Sequence, residues 1–465
     1  MNVLILGRNE MNVKLAEAFK KRGYSPIVIE DADEVKAFRG EPGDFIAKTG
    51  SGEVEASFVV VTEPARGEPP NIEGGMPIPL FDDVAFEEIA AASKEPIVYL
   101  LDYFCESPQA ATARALEAAL ALAGKKKSVA FIFKFMRTAA GECEELYRKA
   151  RCAGVTFIKY EKINIACNSG TGVYTIKAQD GENEVILETR RLIADGGRGA
   201  SCKFTRLAEK LRLKTAEGGY ENEGRYFLAP AFTGRNGVYY LNQDLYAGRL
   251  KEGLDFFVSA VCGDIGETRP ENNHAAIDGE KCVFCYSCYR ICPHGAMEPG
   301  GESRVMKNLE NACKGCGLCA VACPGNAITM KEDDFVETEA LEKQGKVKLL
   351  CCENSGSVAL KEILPGLGEQ AFIIDFQTVA CGGRAGFEQL AESLRSYGKV
   401  IALVCMDDAC RHFDGNKAAC KQAARLSFAL ERAGAGTGKA FCIKTSFAMA
   451  NTTKEDILEV LNDCC

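Results

Sequence analysis

The sequence predicts an α/β protein in which a small, cysteine-rich α+β module is inserted between two larger parts, and three observations carry that prediction. Apolar strand-like runs alternate with helical patterns through the first 265 residues, and the same alternation returns from about residue 345 to the end. Between them, residues 282–323 hold eight of the 23 cysteines in two copies of one twelve-residue unit. A chain of 465 residues has room for roughly three domains, and the expected divisions are 1–265, 272–332 and 345–465.

Val3-Leu4-Ile5-Leu6-Gly7 reads as a buried strand and Asn12 to Arg22 as a helix presenting Val13, Leu15, Ala16 and Phe19. Pro26 to Glu30 is then a second strand, which completes a βαβ unit. Glu30 ends that strand where a dinucleotide-binding fold places the acid that holds a ribose hydroxyl. The glycine fingerprint is broken, however. Gly7-Arg8-Asn9-Glu10-Met11-Asn12 keeps only the first glycine, Asn9 puts a side chain where backbone would approach a pyrophosphate, and Glu10 adds negative charge beside the helix N-terminus. The expectation is a structural βαβ unit rather than an ordinary dinucleotide turn.

Short β-type segments follow from Ala47 to Glu63, including Glu53 to Val61, and the Pro/Gly-rich piece Glu63 to Pro79 reads as a loop. A helix around Phe86 to Lys94, a strand Ile97 to Leu101 and an alanine-rich packing helix Gln109 to Ala123 come next. Val129 to Phe135 is a strand, Gly141 to Ala153 a helix and Val155 to Tyr160 a strand. Strands alternating with helices imply a parallel sheet.

The central stretch reads C-V-F-C-Y-S-C-Y-R-I-C-P from Cys282 to Pro293 and C-K-G-C-G-L-C-A-V-A-C-P from Cys313 to Pro324. Three cysteines at two-residue spacing, then a fourth after three residues and a proline, is the pattern of a two-cluster bacterial ferredoxin. A tight triplet loop supplies three thiolates to one [4Fe-4S] cube, and the fourth cysteine of each half belongs to the other cube. Cys282, Cys285, Cys288 and Cys323 are therefore assigned to the first cluster, and Cys313, Cys316, Cys319 and Cys292 to the second. Zinc ribbons use Cys-x-x-Cys pairs rather than triplets closed by Cys-Pro, and a disulfide scaffold would not explain the duplication. Paired clusters in one small module conduct single electrons.

After the charged segment Lys331 to Lys346, Val347 to Leu350 and Ala371 to Phe376 read as strands, Phe387 to Tyr397 as a helix, Val400 to Val404 as a strand and Asn416 to Ala433 as a helix. Cys351, Cys352, Cys381, Cys405 and Cys410 gather at strand ends, where α/β sheets collect ligands. Cys420, Cys442, Cys464 and Cys465 follow no such pattern, and His294 and His412 read as surface or packing residues.

Composition narrows the function. With 56 basic and 65 acidic residues the net charge is −9, which leaves no basic footprint for nucleic acid. No apolar run approaches the ~20 residues of a membrane span, and Met1 to Gly7 lacks the basic start of a signal peptide. So many thiols beside oxidisable clusters suit a reducing cytoplasm, that of an anaerobe. With no tryptophan and three histidines, histidine-based metal catalysis is a poor fit, and no catalytic acid, base or nucleophile stands out.

Several segments carry a resemblance. Val129 to Thr138, Glu144-Glu145-Leu146-Tyr147 and Gly154 to Ile158, with Leu192-Ile193-Ala194-Asp195-Gly196-Gly197 and Pro230 through Gly237 to Leu241, are similar to the A-type, flavoprotein component of heterodisulfide reductase. The resemblance implies a Rossmann-like, flavoprotein-type domain, with FAD as its cofactor and Gly7, Glu30, Arg137, Thr138, Gly196 and Gly237 as the candidate residues toward it. Two readings stay open: FAD bound in this copy, or a flavoprotein fold kept as scaffold with the flavin on a paired subunit. Cys351 to Ser355, Cys381-Gly382-Gly383-Arg384 and Cys405 through His412 to Asn416 resemble the iron-sulfur delta subunit of the methyl-viologen-reducing hydrogenase. That likeness implies a [2Fe-2S] cluster on Cys352, Cys381, Cys405 and Cys410, with Cys351 as a substitute ligand, since Ser355 stands where the family often has cysteine.

The order of modules resembles fused members of the heterodisulfide reductase family, including the B-type component of the quinone-interacting membrane-bound oxidoreductase. It implies an electron-transfer subunit in a cytoplasmic complex. Its partners would be a flavoprotein subunit, a quinone-linked membrane subunit, and a hydrogenase or dehydrogenase. A self-sufficient FAD enzyme that bifurcates electrons between two acceptors is the rival expectation.

Overall fold

The computed structural model describes residues 1–8, 11–63, 72, 78–80, 84, 89, 95–103, 107, 109–138, 143–196, 202–215, 231–241, 250–266, 274–331, 347–407, 409–435 and 439–462. The expected turn residues Asn9 and Glu10, the loop after Glu63, the helix around Phe86 to Lys94, the charged segment Lys331 to Lys346 and the terminal cysteines lie wholly or mostly outside the described residues.

The N-terminal part is built twice on one plan. In the first copy, Asn2–Leu6, Ser25–Ile29, Phe58–Val61 and Val238–Tyr240 form a parallel sheet, with Phe58–Val61 and Ser25–Ile29 on either side of Asn2–Leu6 and Val238–Tyr240 at the edge beyond Phe58–Val61. Between its second and third strands the chain makes an antiparallel meander, Ala37–Glu41, Asp44–Thr49 and Gly52–Ala56. In the second copy, Ile97–Leu100, Val129–Phe133, Thr156–Lys159 and Arg191–Ala194 form the parallel sheet, and Lys162–Asn168, Val173–Asp180 and Asn183–Thr189 the meander. The parallel strands are apolar at nearly every position because both faces are covered: Val3 to Leu6, Phe58 to Val61 and Ile97 to Leu100 are all buried.

The expected strand running through Glu53 to Val61 is in fact two, joined to different sheets. Gly52–Ala56 alternates and belongs to the meander, whereas Phe58–Val61 is apolar throughout and enters the parallel core. Both meanders, rich in charged residues on their outer faces, went largely unread because alternation with partial burial is a weak signal.

The cysteine-rich module folds as two short antiparallel pairs, Ala275–Ile277 with Ile328–Met330 and Met297–Pro299 with Met306–Asn308. Two short helices, Ser287–Ile291 and Leu318–Val321, complete it. The C-terminal part is a four-stranded parallel sheet in the order Ile374–Val379, Val347–Cys352, Lys399–Cys405, Ala440–Thr445. The helices Gly356–Ile363, Phe387–Ser396, Gly415–Arg432 and Ala450–Asn462 pack on it. Its fourth strand and last helix were not foreseen.

The parts are tightly joined. Arg212 donates to the carbonyls of Met297 at 2.6 Å, Tyr289 at 2.6 Å and Gly295 at 3.3 Å, and its guanidinium stacks 3.8 Å from the centre of the Tyr289 ring. Lys214 pairs with Asp414 at 2.8 Å. Among the described residues, no helix is long and apolar enough to cross a membrane.

Candidate metal centre and nucleotide crevices

The eight cysteines of the duplicated unit line two pockets. One pocket is lined by Cys282, Cys285, Cys288 and Cys323, and a second by Cys292, Cys313, Cys316 and Cys319. Each set is three cysteines of one loop and the fourth of the other half, and none of the eight is in a disulfide. Four thiols around a small apolar pocket fit an iron-sulfur cube.

The two halves repeat in detail. The amide of Ala296 donates to the Cys292 sulfur at 3.4 Å and that of Ala327 to the Cys323 sulfur at 3.3 Å. Both amides stand four residues after their cysteine, and left-handed Gly295 and Asn326 turn them inward. Inside each triplet the same left-handed positions recur, Phe284 and Tyr286 in the first half and Gly315 and Gly317 in the second. N–H donors aimed at sulfur stabilise a thiolate bound to iron. Burial pushes Cys316 up to about 12 and raises Cys288, Cys292 and Cys319 as well, so their thiolates call for a compensating positive charge.

The C-terminal sulfurs also converge. Cys352 and Cys405, at the ends of neighbouring strands, lie 3.3 Å apart, and Cys410 packs with them in one buried group. Cys381 lies beside Cys410, the sulfurs of both facing Gly415. Hydrogen bonds among these sulfurs pull Cys352 and Cys410 down while pushing Cys381 and Cys405 up. Four sulfurs crowded together cannot all ionise unless a cation compensates. The set fits a small iron-sulfur cluster. Cys351 is not part of it: one residue earlier on the strand, it faces the opposite side and packs with Leu349 and Ala359. Ser355 turns away to bond the Thr445 carbonyl. Cys420 and Cys442, which the sequence left without a role, form a disulfide.

The sequence missed the junction between these sites. Cys316 of the second pocket and Cys381 share a buried cluster with Leu318. His294 and His412, expected to lie on the surface or in packing, are packed: they are 1% and 5% exposed and hydrogen-bonded at 2.9 Å, with Cys316 Sγ within 4.8 Å of both. That separation is a hydrogen bond; two nitrogens on a tetrahedral zinc would stand roughly 3.3 Å apart. An apolar run would not have flagged either histidine, but each follows a cluster cysteine by two residues.

The candidate nucleotide residues divide. Gly7, with φ of 119°, and Glu30 both follow the carboxyl ends of parallel strands, as a cofactor crevice requires. Gly237 does not join them, for it precedes Val238–Tyr240 and so sits at the amino edge of the same parallel sheet. The turn at Gly7 is filled from within. The Glu63 carboxylate accepts the Arg8 amide at 3.1 Å, the Gly7 amide is bonded to Ile29 O at 3.0 Å, and Asn12 caps Gly7 O at 2.7 Å. Burial raises Glu63 above the usual carboxylate range.

The second sheet repeats this arrangement. Buried Asp102 accepts the amides of Ser107 at 2.8 Å, Phe135 at 3.0 Å and Lys134 at 3.2 Å, and pairs with Arg137 at 2.7 Å. Arg137 is thereby held by the chain itself; Thr138 and Gly196 lie near the same carboxyl edge, after Val129–Phe133 and Arg191–Ala194. Among the described residues, the Arg8 amide is taken by Glu63 and those of Ser107, Lys134 and Phe135 by Asp102.

The chain thus sets a cysteine-rich, ferredoxin-like module between α/β units with parallel sheets. Residues 275–330 match the model of the 4Fe-4S dicluster domain. The same region is similar to the pyruvate synthase component PorD of Methanocaldococcus jannaschii, 43% identical over 58 residues, 12% of this chain and 66% of the relative. PorD of Thermotoga maritima is 44% identical over 68 residues, 14% of this chain and 62% of that protein. The B-type component of sulfite dehydrogenase from Allochromatium vinosum is 28% identical over 100 residues, 18% of this chain and 40% of that protein. The chain therefore spans less than two thirds of the length of these curated relatives. Among solved structures, T. acidophilum thioredoxin reductase aligns with 57% of this chain and 98% of its own at 14% identity and a TM-score of 0.39.

Proposed function

We propose that the chain is an electron-relay subunit in which one electron at a time passes through two [4Fe-4S] clusters and a C-terminal [2Fe-2S] cluster. The single observation that supports it most is the pair of pockets, each lined by four cysteines in the crossed arrangement. Cys282, Cys285, Cys288 and Cys323 would hold the first cube, Cys292, Cys313, Cys316 and Cys319 the second, and Cys352, Cys381, Cys405 and Cys410 the last cluster. Burial of Cys316 with Cys381 supports direct transfer between the second and third sites. Exposed Cys285 makes the first pocket the outer port. Relatives of the module are named as subunits of pyruvate synthase and sulfite dehydrogenase, which supports membership of a larger complex. Our assignment of that complex is a heterodisulfide reductase-like one.

The duplicated flavoprotein-like plan favours a second reading, an FAD-containing oxidoreductase that acts directly on a donor. An open crevice lined by Phe232, Tyr239, Lys314, Glu353 and Arg411 would give such a donor access beside the clusters. Iron, sulfide and flavin content of anaerobically purified protein, with EPR of the reduced sample, separates the two. The relay predicts about ten irons and no flavin; one tight FAD per chain supports the second reading, and iron well below about eight refutes both.

A further inference from the structure

The two halves of the dicluster module differ at a position where the backbone conformation does not require it. Gly317 and Tyr286 are equivalent positions, each directly after the middle cysteine of its triplet, and both are left-handed, with φ of 74° and 62°. Tyr286 shows that this loop accepts a side chain in that conformation. Glycine at 317 therefore answers to space: a Cβ there would lie 2.6 Å from Arg384 Cγ and 2.8 Å from Arg384 Nε.

Arg384 comes from the C-terminal part, in the short turn Gly382–Arg384 that follows Cys381, and is only 4% exposed. Gly317 lines the second pocket directly after Cys316, so the guanidinium over it lies beside that pocket. Lys314 also lines this second pocket. Among the described residues, no lysine or arginine lines the first pocket; Arg290, on the neighbouring helix Ser287–Ile291, is exposed.

Resting on the cluster assignment above, we propose that Arg384, seated over Gly317, raises the reduction potential of the cluster in the second pocket above that of the first. An added electron makes a cluster more negative, and a buried cation beside it stabilises that state more than the oxidised one. An exposed cation is screened by water and does much less. One electron then leaves the first cluster as the second takes it up, and collects beside Cys381 before crossing to the C-terminal sulfurs. Arg384 is a positioning residue here and takes no part as a ligand.

The test is an anaerobic EPR-monitored dithionite titration of the full chain. Cys285→Ser, which removes a first-pocket ligand, identifies which signal belongs to which pocket. Arg384→Met is expected to lower the midpoint of the second-pocket signal and leave the first unchanged, while Arg384→Lys keeps most of the wild-type value. Gly317→Ala, which crowds Arg384 away and leaves all charges in place, is expected to shift the midpoint in the same direction. An unchanged midpoint in Arg384→Met, or equal shifts in both signals, overturns the proposal. If Arg384→Met does not load iron, an unshifted Gly317→Ala overturns it instead. Wild-type protein without two cubane signals would sink the cluster assignment itself, a different failure.

Discussion

Asp102 offers the sharpest test of how the second nucleotide-type crevice is held closed. Its carboxylate is 3% exposed and accepts from three amides and the Arg137 guanidinium at 2.7 to 3.2 Å. Replacing it with Asn keeps the size but turns an NH2 group toward donors, which leaves one or two part-buried amides unsatisfied at about 1–3 kcal/mol each and Arg137 without its counter-charge. Breaking a buried pair costs about 3–5 kcal/mol; Arg137 is 20% exposed and can partly rehydrate, so a net loss of about 3 kcal/mol is expected.

A chain of several units does not unfold in one step, so the loss is best read by hydrogen exchange. Amides of Ile97–Leu100 and Val129–Phe133 should exchange roughly 100-fold faster in Asp102→Asn. Those of Val347–Cys352, in another sheet, should not change. Exchange within threefold of wild type at the first two strands would refute the account of Asp102 as the group that ties Lys134 and Phe135 to the end of the neighbouring strand.

Cys323→Ser should abolish the cluster signal of the first triplet, not that of its own triplet, and Cys292→Ser the reverse, each reducing iron by about four per chain; loss of the cube on the same side would disprove the crossover. Arg212→Ala removes three hydrogen bonds and a ring contact between the N-terminal part and the dicluster module. A weakening of about 2–4 kcal/mol is expected, seen as faster proteolysis between them with iron content retained. Glu63 has a raised carboxyl pKa caused first by burial, so the folded state binds the proton more tightly than the unfolded chain. Its contribution is complete below the ordinary carboxylate range and is lost as pH rises through the folded value. Glu63→Gln should flatten that part of the stability profile, and an unaltered slope would count against the buried carboxylate. Gly356→Ala would place a Cβ 2.2 Å from the Leu403 carbonyl, and should cost about 1–3 kcal/mol in the C-terminal sheet, measurable as exchange at Lys399–Cys405.

Much of the site was legible because its chemistry is local. Three cysteines two residues apart must share one loop, and the proline after the fourth marks where that loop ends; the pockets gather the eight in two sets, each with the fourth cysteine of the other half. Apolar runs such as Ile97–Leu100 likewise marked the buried parallel strands. Contacts between distant parts left no such trace. Arg384 beside Gly317, His294 on His412, Cys316 with Cys381 and Glu63 on the Arg8 amide join residues 55 to 118 positions apart. Side chains that meet only after sheets and helices have packed have no periodicity to betray them. The face of the strand that turns Cys352 toward Cys405 and Cys351 into the core, and the edge of the sheet that separates Gly237 from Gly7, were decided by strand register and direction, and those belong to the tertiary structure alone.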